Sequence, residues 1–543
     1  MVVRRLSRRA KAAAARVFAI PELRFFICRS DSLEHSDLYC LALVSRDWAP
    51  VAGHVLWESP LGVLPLFIHM PRDSWEVPNL EQRQTPFASY QSWQTMKAFR
   101  FTRALTDADW EPVLARARTV KHITLLAFPL PVMQVLYAHP PPRTLFPNLR
   151  SVNISGIEPP LPPAFLDIIL PRELVVYETF DFGKITLPHR RDWPCLRALL
   201  LRNTSNTMAP AAVKQAVEIV KTSSSLRRVE LPVGPYPELI SSLAAHPTLH
   251  TLYLDTVGTG SLPSPLAPGS FSTLTRVQAD GHSSLAFVIG ILDASPAVRL
   301  MERITVVSSP TEARQIPSLL RAISNHCDPF VLRSLRVIAS RNSLYDEDDG
   351  VPLPQDAIRM GDLAPLARFA DVETLEIETS QGHALSDADC ATISSWWPHL
   401  RGLNLSRPGR FRSDQDTPTC TLRAVADVAR LCPDLEILVL PIDARAIPDI
   451  LISPQCKLTV LKALDSLIVD PPAVASFLSS LFPELYILMY DDGYLPPDSD
   501  SEGEHEVLVQ DPDAPDAQRR RAWATVREIM EVRSEAHDSD IEY

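Results

Sequence analysis

Residues 429–440 read Ala-Arg-Leu-Cys-Pro-Asp-Leu-Glu-Ile-Leu-Val-Leu. An apolar stretch at helical spacing, Thr421–Cys432, runs into Pro433, which cannot continue a helix. Leu435, Leu438 and Leu440 then fall in the phrase L-x-x-L-x-L. The last two are two residues apart, so both point to one face of a strand, and the residues between them point to the other. One such unit buries a single face, so copies must stack on each other to form a core.

Copies recur. Leu400, Leu403 and Leu405 carry the phrase, as do Leu249, Leu252 and Leu254, and Leu485, Leu488 and Tyr490. Looser versions begin at Met96, Val120, Leu149, Leu196, Leu226, Leu274, Met301, Leu332, Val372 and Leu458. Most steps are about 23 to 35 residues, near the spacing of leucine-rich repeats. The long step from Leu149 to Leu196 leaves room for a degenerate copy near Leu174. The expected fold is α/β: a short three-helix motif, then a curved leucine-rich-repeat-like solenoid over 91–492 with a parallel sheet on its concave face. An asparagine after the phrase is mostly missing, so the turns must close in other ways, with the many prolines as candidates.

Before the repeats lie Ile20-Pro21-Glu22-Leu23-Arg24-Phe25-Phe26-Ile27, Leu38 through Trp48, and Ala52-Gly53-His54-Val55-Leu56-Trp57. Pro21 suits a first helical turn. Leu23, Phe26 and Ile27 share a helix face, as do Leu38, Leu41, Val44 and Trp48. A unit of about 40 residues cannot build a stable core alone and must pack on a neighbour or a partner.

These residues resemble the F-box. Pro21, Glu22, Leu23, Ile27, Leu41, Leu43, Val44, Ser45, Trp48, Leu56 and Trp57 match its Pro-Glu-Leu opening, its Leu-x-Leu-Val-Ser-x-x-Trp centre and its apolar-Trp close. The stretch Cys28–Ser32 departs from the family, which has a leucine and an Asp-Pro turn there. The repeats are similar to the irregular leucine-rich repeats found beside F-boxes, including those of the expanded fungal F-box-like families. The resemblance implies a substrate-recognition subunit of a cullin–RING ubiquitin ligase. Pro21, Leu23, Ile27, Leu41, Leu43, Val44, Trp48, Leu56 and Trp57 would dock on a Skp-family adaptor, and the repeats would hold a protein substrate that the sequence does not identify. The alternatives are a helical cap on the solenoid and an interaction scaffold without ligase output.

Composition fits this division. The 543 residues carry 50 prolines but 17 glycines, which argues against glycine-rich phosphate loops. The net charge is −12 and uneven: residues 1–21 hold 6 basic and no acidic residues, and residues 491–543 hold 16 acidic and 5 basic ones. The expected layout is a basic tail over 1–17, the helical motif over 18–58, a linker over 59–90, the repeats, and an acidic, partly helical tail over 493–543. The body between the tails shows no basic stripe along the sequence, so nucleic acid is not an expected partner. The 8 cysteines form no CxxC pair and read as reduced, small apolar residues of an intracellular protein, cytoplasmic or nuclear. No apolar run suffices for a membrane span.

No catalytic, metal or cofactor pattern appears, and none of these is expected. Outward strand positions near the centre, Arg228, Glu230, Tyr253, Asp255, Arg276, Gln278 and Arg303, with Asp280, make a mixed polar patch with one aromatic. They are the candidate substrate contacts. The last copies present Ile437, Val439, Val460, Leu464, Ile487 and Met489 instead. This is an apolar surface for a partner or for a cover by Val507–Val509 and the amphipathic stretch Ala522–Val532.

Overall fold

The structure is a computed structural model. It describes residues 20–30, 32–60, 62–77, 99–125, 130–155, 163–181, 187, 192–203, 208–232, 236–255, 266–281, 284–294, 297–339, 357–379, 382–406, 418–450, 457–463, 466–489 and 515–540. The chain divides into two compact units, Met1–Pro232 and Val233–Tyr543.

The first unit opens with three helices: α1 (Pro21–Cys28), α2 (His35–Val44) and α3 (Ala49–Glu58). Pro21 and Pro50 sit in the first turns of α1 and α3, where a missing amide costs nothing. Glu34 and Asp37 close a reciprocal capping box at the start of α2. Buried Cys28, Leu38 and Ala52 form a small core, with Leu33, Leu41, Ala42, Trp48, Val51, Val55 and Leu56 packed on it. Trp48 does not continue the second helix as its spacing with Val44 suggested. Ser45 turns to extended backbone, and Trp48 caps α3 instead.

Of the linker expected over 59–90, residues 62–77 form a packed segment, and residues 78–90 lie outside the described residues. The packed segment holds a helical turn, α4 (Leu64–Phe67), and β1 (Trp75–Glu76), which pairs antiparallel with β2 (Arg100–Phe101). Aromatic rings explain why it packs: Phe67, Trp75, Phe99, Phe101 and Trp110 lie with centroids 5.1–6.2 Å apart. Arg103 clamps Asp109 at 2.7 and 2.8 Å at the head of α5 (Asp107–Ala117).

Five parallel strands follow: β3 (His122–Leu125), β4 (Ser151–Ser155), β5 (Val176–Asp181), β6 (Ala198–Asn203) and β7 (Arg228–Leu231). Each begins two residues after the first apolar residue of its repeat phrase: Val120, Leu149, Leu174, Leu196 and Leu226, all at most 1% exposed. The degenerate copy near Leu174 is therefore a full coil. Met96 lies outside the described residues, and β2 beyond it belongs to the antiparallel pair.

In the second unit, β8 (Thr251–Leu254), β9 (Arg276–Asp280), β10 (Arg303–Ser308), β11 (Ser334–Ala339), β13 (Thr374–Thr379), β15 (Gly402–Asn404), β16 (Ile437–Val439), β18 (Val460–Lys462) and β20 (Ile487–Met489) run parallel in that order. Leu249, Leu274, Met301, Leu332, Val372, Leu400, Leu435 and Leu458 head the first eight and are buried, and half-buried Leu485 heads β20. Helices α13 (Asp387–Trp396), α14 (Leu422–Leu431) and α15 (Pro471–Leu481) end at Trp397, Cys432 and Phe482. In each case the next residue is a proline, so prolines stop helices here as well as starting them. Short strands β12 (Ile358–Arg359) with β14 (His383–Ala384), and β17 (Asp443–Ala444) with β19 (Leu467–Ile468), form two separate two-stranded parallel ladders.

The turns need no asparagine ladder, because a backbone device repeats from coil to coil within each unit. The residue after each leading apolar residue offers one carbonyl to two amides of the next coil. Arg401 O accepts from Glu436 N (2.8 Å) and Ile437 N (3.0 Å), and Glu436 O from Thr459 N (2.9 Å) and Val460 N (3.0 Å). This satisfies the polar backbone where each strand begins.

Helix α16 (Pro515–Asp540) contains the amphipathic stretch Ala522–Val532 and packs on α15 and β19. Trp523 and Val526 are fully buried, and Trp523 Nε1 donates to Ser466 O at 2.9 Å. Ile437 stays 43% exposed and Val439 is buried at 4%. Leu464 and Val507–Val509 lie outside the described residues. Of the cysteines, Cys28, Cys327, Cys390, Cys420 and Cys432 are buried, but Cys40 and Cys195 are exposed.

Candidate interaction surfaces

The three N-terminal helices turn their sequence-matched residues in different directions. Leu41, Trp48 and Leu56 pack into the small core. Ile27 is half-buried. Trp57 faces the body of its own unit: its ring lies 5.3 Å from that of His69, and the Arg116 guanidinium lies 5.5 Å over it. Pro21, Leu23, Leu43 and Val44 are exposed. Phe26, at 77% exposure, joins Leu43 at 69% and Val44 at 70% as the large apolar side chains most open to solvent on these helices. Its i, i+3 spacing from Leu23 was the signal available in sequence.

Ionic contacts hold these helices to the first unit. The Glu58 carboxylate is buried and binds Arg29, Lys121 and His54. Burial alone would raise its pKa, but the hydrogen bonds from Lys121 and Arg29 outweigh it and hold the carboxyl below its usual range.

On the sheet face of the first unit, Glu230 is 4% exposed and bound by Arg228 and by Arg202 at 2.8 Å. Arg202 also reaches Glu178 at 3.2 Å, which Asn153 contacts at 3.1 Å. Arg228 and Glu230 thus belong to a largely self-neutralised network.

In the second unit, Tyr253 Oη and Gln278 Nε2 both donate to Asp280 Oδ2 at 3.3 Å. Burial raises the Asp280 pKa, against those two hydrogen bonds and with help from the Asp255 charge. Arg276 holds Glu302 through two bonds of 3.0 Å, and Arg303 and Asp255 are exposed. The strand register sets Gln278, Thr305, Arg336, Glu376 and Asn404 side by side. Arg336 pairs with Glu376 at 2.7 Å, and Asn404 donates to it at 2.9 Å. Arg336, Glu376 and Asn404 complete a row that the sequence reading left at its first members, although the same L-x-L middle position marks them.

Among the described residues, no three His, Cys, Asp or Glu side chains gather to hold a metal ion, and no helix is long and apolar enough to cross a membrane. What these surfaces offer is polar hydrogen bonding on a strand scaffold and exposed apolar side chains on short helices.

No family model matches the chain, and no curated protein matches it. Among solved structures it is similar to an internalin, InlF, from Listeria monocytogenes str. 4b F2365, at 12% identity and a TM-score of 0.34. That likeness covers 70% of this chain and 83% of the internalin chain.

Proposed function

We propose that this protein is a substrate-recognition subunit of a cullin–RING ubiquitin ligase, docking a Skp-family adaptor through α1–α3 and a protein substrate through its repeats. The observation that carries the reading is the exposure of Phe26, Leu43 and Val44, with Leu23 and Tyr39 also open to solvent, on helices whose Leu41, Trp48 and Leu56 are packed in a small core. Exposed apolar side chains on short helices are what helix-based docking on an adaptor groove uses. The protein would add no acid, base or nucleophile; it would raise the local concentration of the substrate near the conjugating enzyme.

The test is a pull-down of the full chain with a Skp-family adaptor, comparing wild type with Phe26→Ala/Leu43→Ala/Val44→Ala. These side chains are exposed, so circular dichroism should remain unchanged. Binding lost in the folded triple variant supports the reading. Wild type that fails to bind the adaptor rejects it and leaves a scaffold without ligase output.

A further inference from the structure

The residue that heads each coil, directly after the leading apolar residue, differs in chemistry between the two units. In the second unit four of these heads form two ion pairs, Arg333–Glu373 at 2.6 Å and Arg401–Glu436 at 2.6 Å, and the head Glu302 is taken by Arg276. In the first unit the heads are Lys121, Arg150, Val175, Arg197 and Arg227.

Backbone bonds make these five consecutive rungs. Arg150 N donates to Lys121 O at 2.7 Å, Val175 N to Arg150 O at 2.8 Å, Arg197 N to Val175 O at 2.8 Å, and Arg227 N to Arg197 O at 2.8 Å. Lys121 is committed to Glu58. Arg150, Arg197 and Arg227 are exposed, and none has a carboxylate partner among the described residues. No acid in the row balances them.

We infer that this basic edge of the first unit is a binding site for an extended acidic peptide with carboxylates at alternate positions. Neighbouring strands lie about 4.8 Å apart, so the three steps from Arg150 through Val175 and Arg197 to Arg227 span about 14 Å. In an extended peptide, side chains on one face recur every ~6.7 Å, so three alternate carboxylates span about 13 Å. The end-to-end spans agree. Because Val175 intervenes, Arg197 stands about 10 Å from Arg150 against about 7 Å for the middle carboxylate. That offset of about 3 Å lies within the reach of a flexible arginine side chain, so each carboxylate can accept the fork of one guanidinium.

Nucleic acid fits less well. The row is one residue wide, its five positions hold no aromatic ring for base stacking, and the Glu178 and Glu230 carboxylates stand on the adjoining sheet face. This inference is independent of adaptor docking, since it uses none of α1–α3.

The test is fluorescence anisotropy of a labelled alternating Ser-Glu decapeptide with the full chain at low salt. The expected result is saturable binding that weakens steeply as salt rises. The Arg150→Gln/Arg197→Gln/Arg227→Gln variant should lose about tenfold or more in affinity, as expected for three exposed ion pairs. A control variant, Arg333→Gln/Arg401→Gln, should bind as wild type does. Equal binding by the triple variant, or no saturable binding by wild type, overturns the inference. So does a single-stranded oligonucleotide of equal charge that binds more tightly through the same three arginines.

Discussion

Glu58 and Lys121 are joined twice: the Lys121 ammonium meets the Glu58 carboxylate, and the Lys121 amide donates to the Glu58 carbonyl at 2.8 Å. The end of α3 is thereby tied to the first parallel strand. Glu58→Ala should cost about 1.5–3 kcal/mol, the range for hydrogen bonds to a charged group, read from the urea midpoint. The folded-state pKa of this carboxyl is depressed, so its contribution is present above the ordinary carboxylate pKa. It should fade as pH falls through the depressed value. A wild type and variant that differ equally at neutral and strongly acidic pH would contradict this.

Glu312 lies in the turn Pro310–Gln315, 9% exposed, with Oε2 unpartnered and the Leu285 amide as a hydrogen-bond donor. Burial pushes its pKa up to about 7. The folded state therefore holds this proton to higher pH than the unfolded state. Stability from this group is greatest below the ordinary value near ~4.3 and falls as pH climbs to about 7. Glu312→Gln should match wild type at pH near ~4 and be more stable by on the order of 2 kcal/mol at pH near ~8. Denaturant midpoints at both pH values measure it, and an identical difference at the two would count against the assignment.

Arg299 is 3% exposed and donates to the carbonyls of Phe271 (2.7 Å), Ser270 (3.0 Å) and Ile291 (2.6 Å). Phe271 holds a left-handed φ of 56°, a conformation a bulky residue keeps only when its surroundings enforce it. Arg299→Met preserves much of the volume and removes a donor from each of three buried carbonyls. A loss of about 2–4 kcal/mol is expected by thermal or urea unfolding. A change below about 0.5 kcal/mol would mean that water replaces the guanidinium without penalty.

Trp523 should anchor α16. Trp523→Ala is expected to destabilise the second unit by about 3–5 kcal/mol. It should also open the C-terminal helix to limited proteolysis before the repeats are cut. Trp523→Phe keeps the ring and loses the bond to Ser466, so it should fall between the two. If α16 resists protease equally in wild type and Trp523→Ala, the tryptophan is not the anchor.

Much of this architecture was legible because strand patterning is local. Leu400, Leu403 and Leu405, or Leu435, Leu438 and Leu440, announce their strand within a few residues, and even the weak copy at Leu174 followed from a gap in spacing. What covers Trp57 was not legible, because a motif match identifies a residue and not its neighbours: the half-buried ring lies against His69 and Arg116. The packed segment over 62–77 was hidden because its partners, Phe99 and Trp110, come later in the chain. The arginine row was hidden for the same reason. Arg150, Arg197 and Arg227 are tens of residues apart and interleaved with acids, so a charge count along the sequence averages them away. Only the stacking of coils aligns them.

The stacking bond itself explains how such a row could arise. Within each unit, a coil is secured to the next by backbone groups, one carbonyl to two amides, whatever side chain the residue carries. The identity of that side chain is therefore nearly free of structural demand. Arginine, glutamate, threonine and valine all occupy it without changing the join. Substitutions there can accumulate neutrally with respect to folding, and selection can recast the chemistry of an entire edge one coil at a time. The edge of such a protein is a place where new specificity can evolve while the framework stays the same.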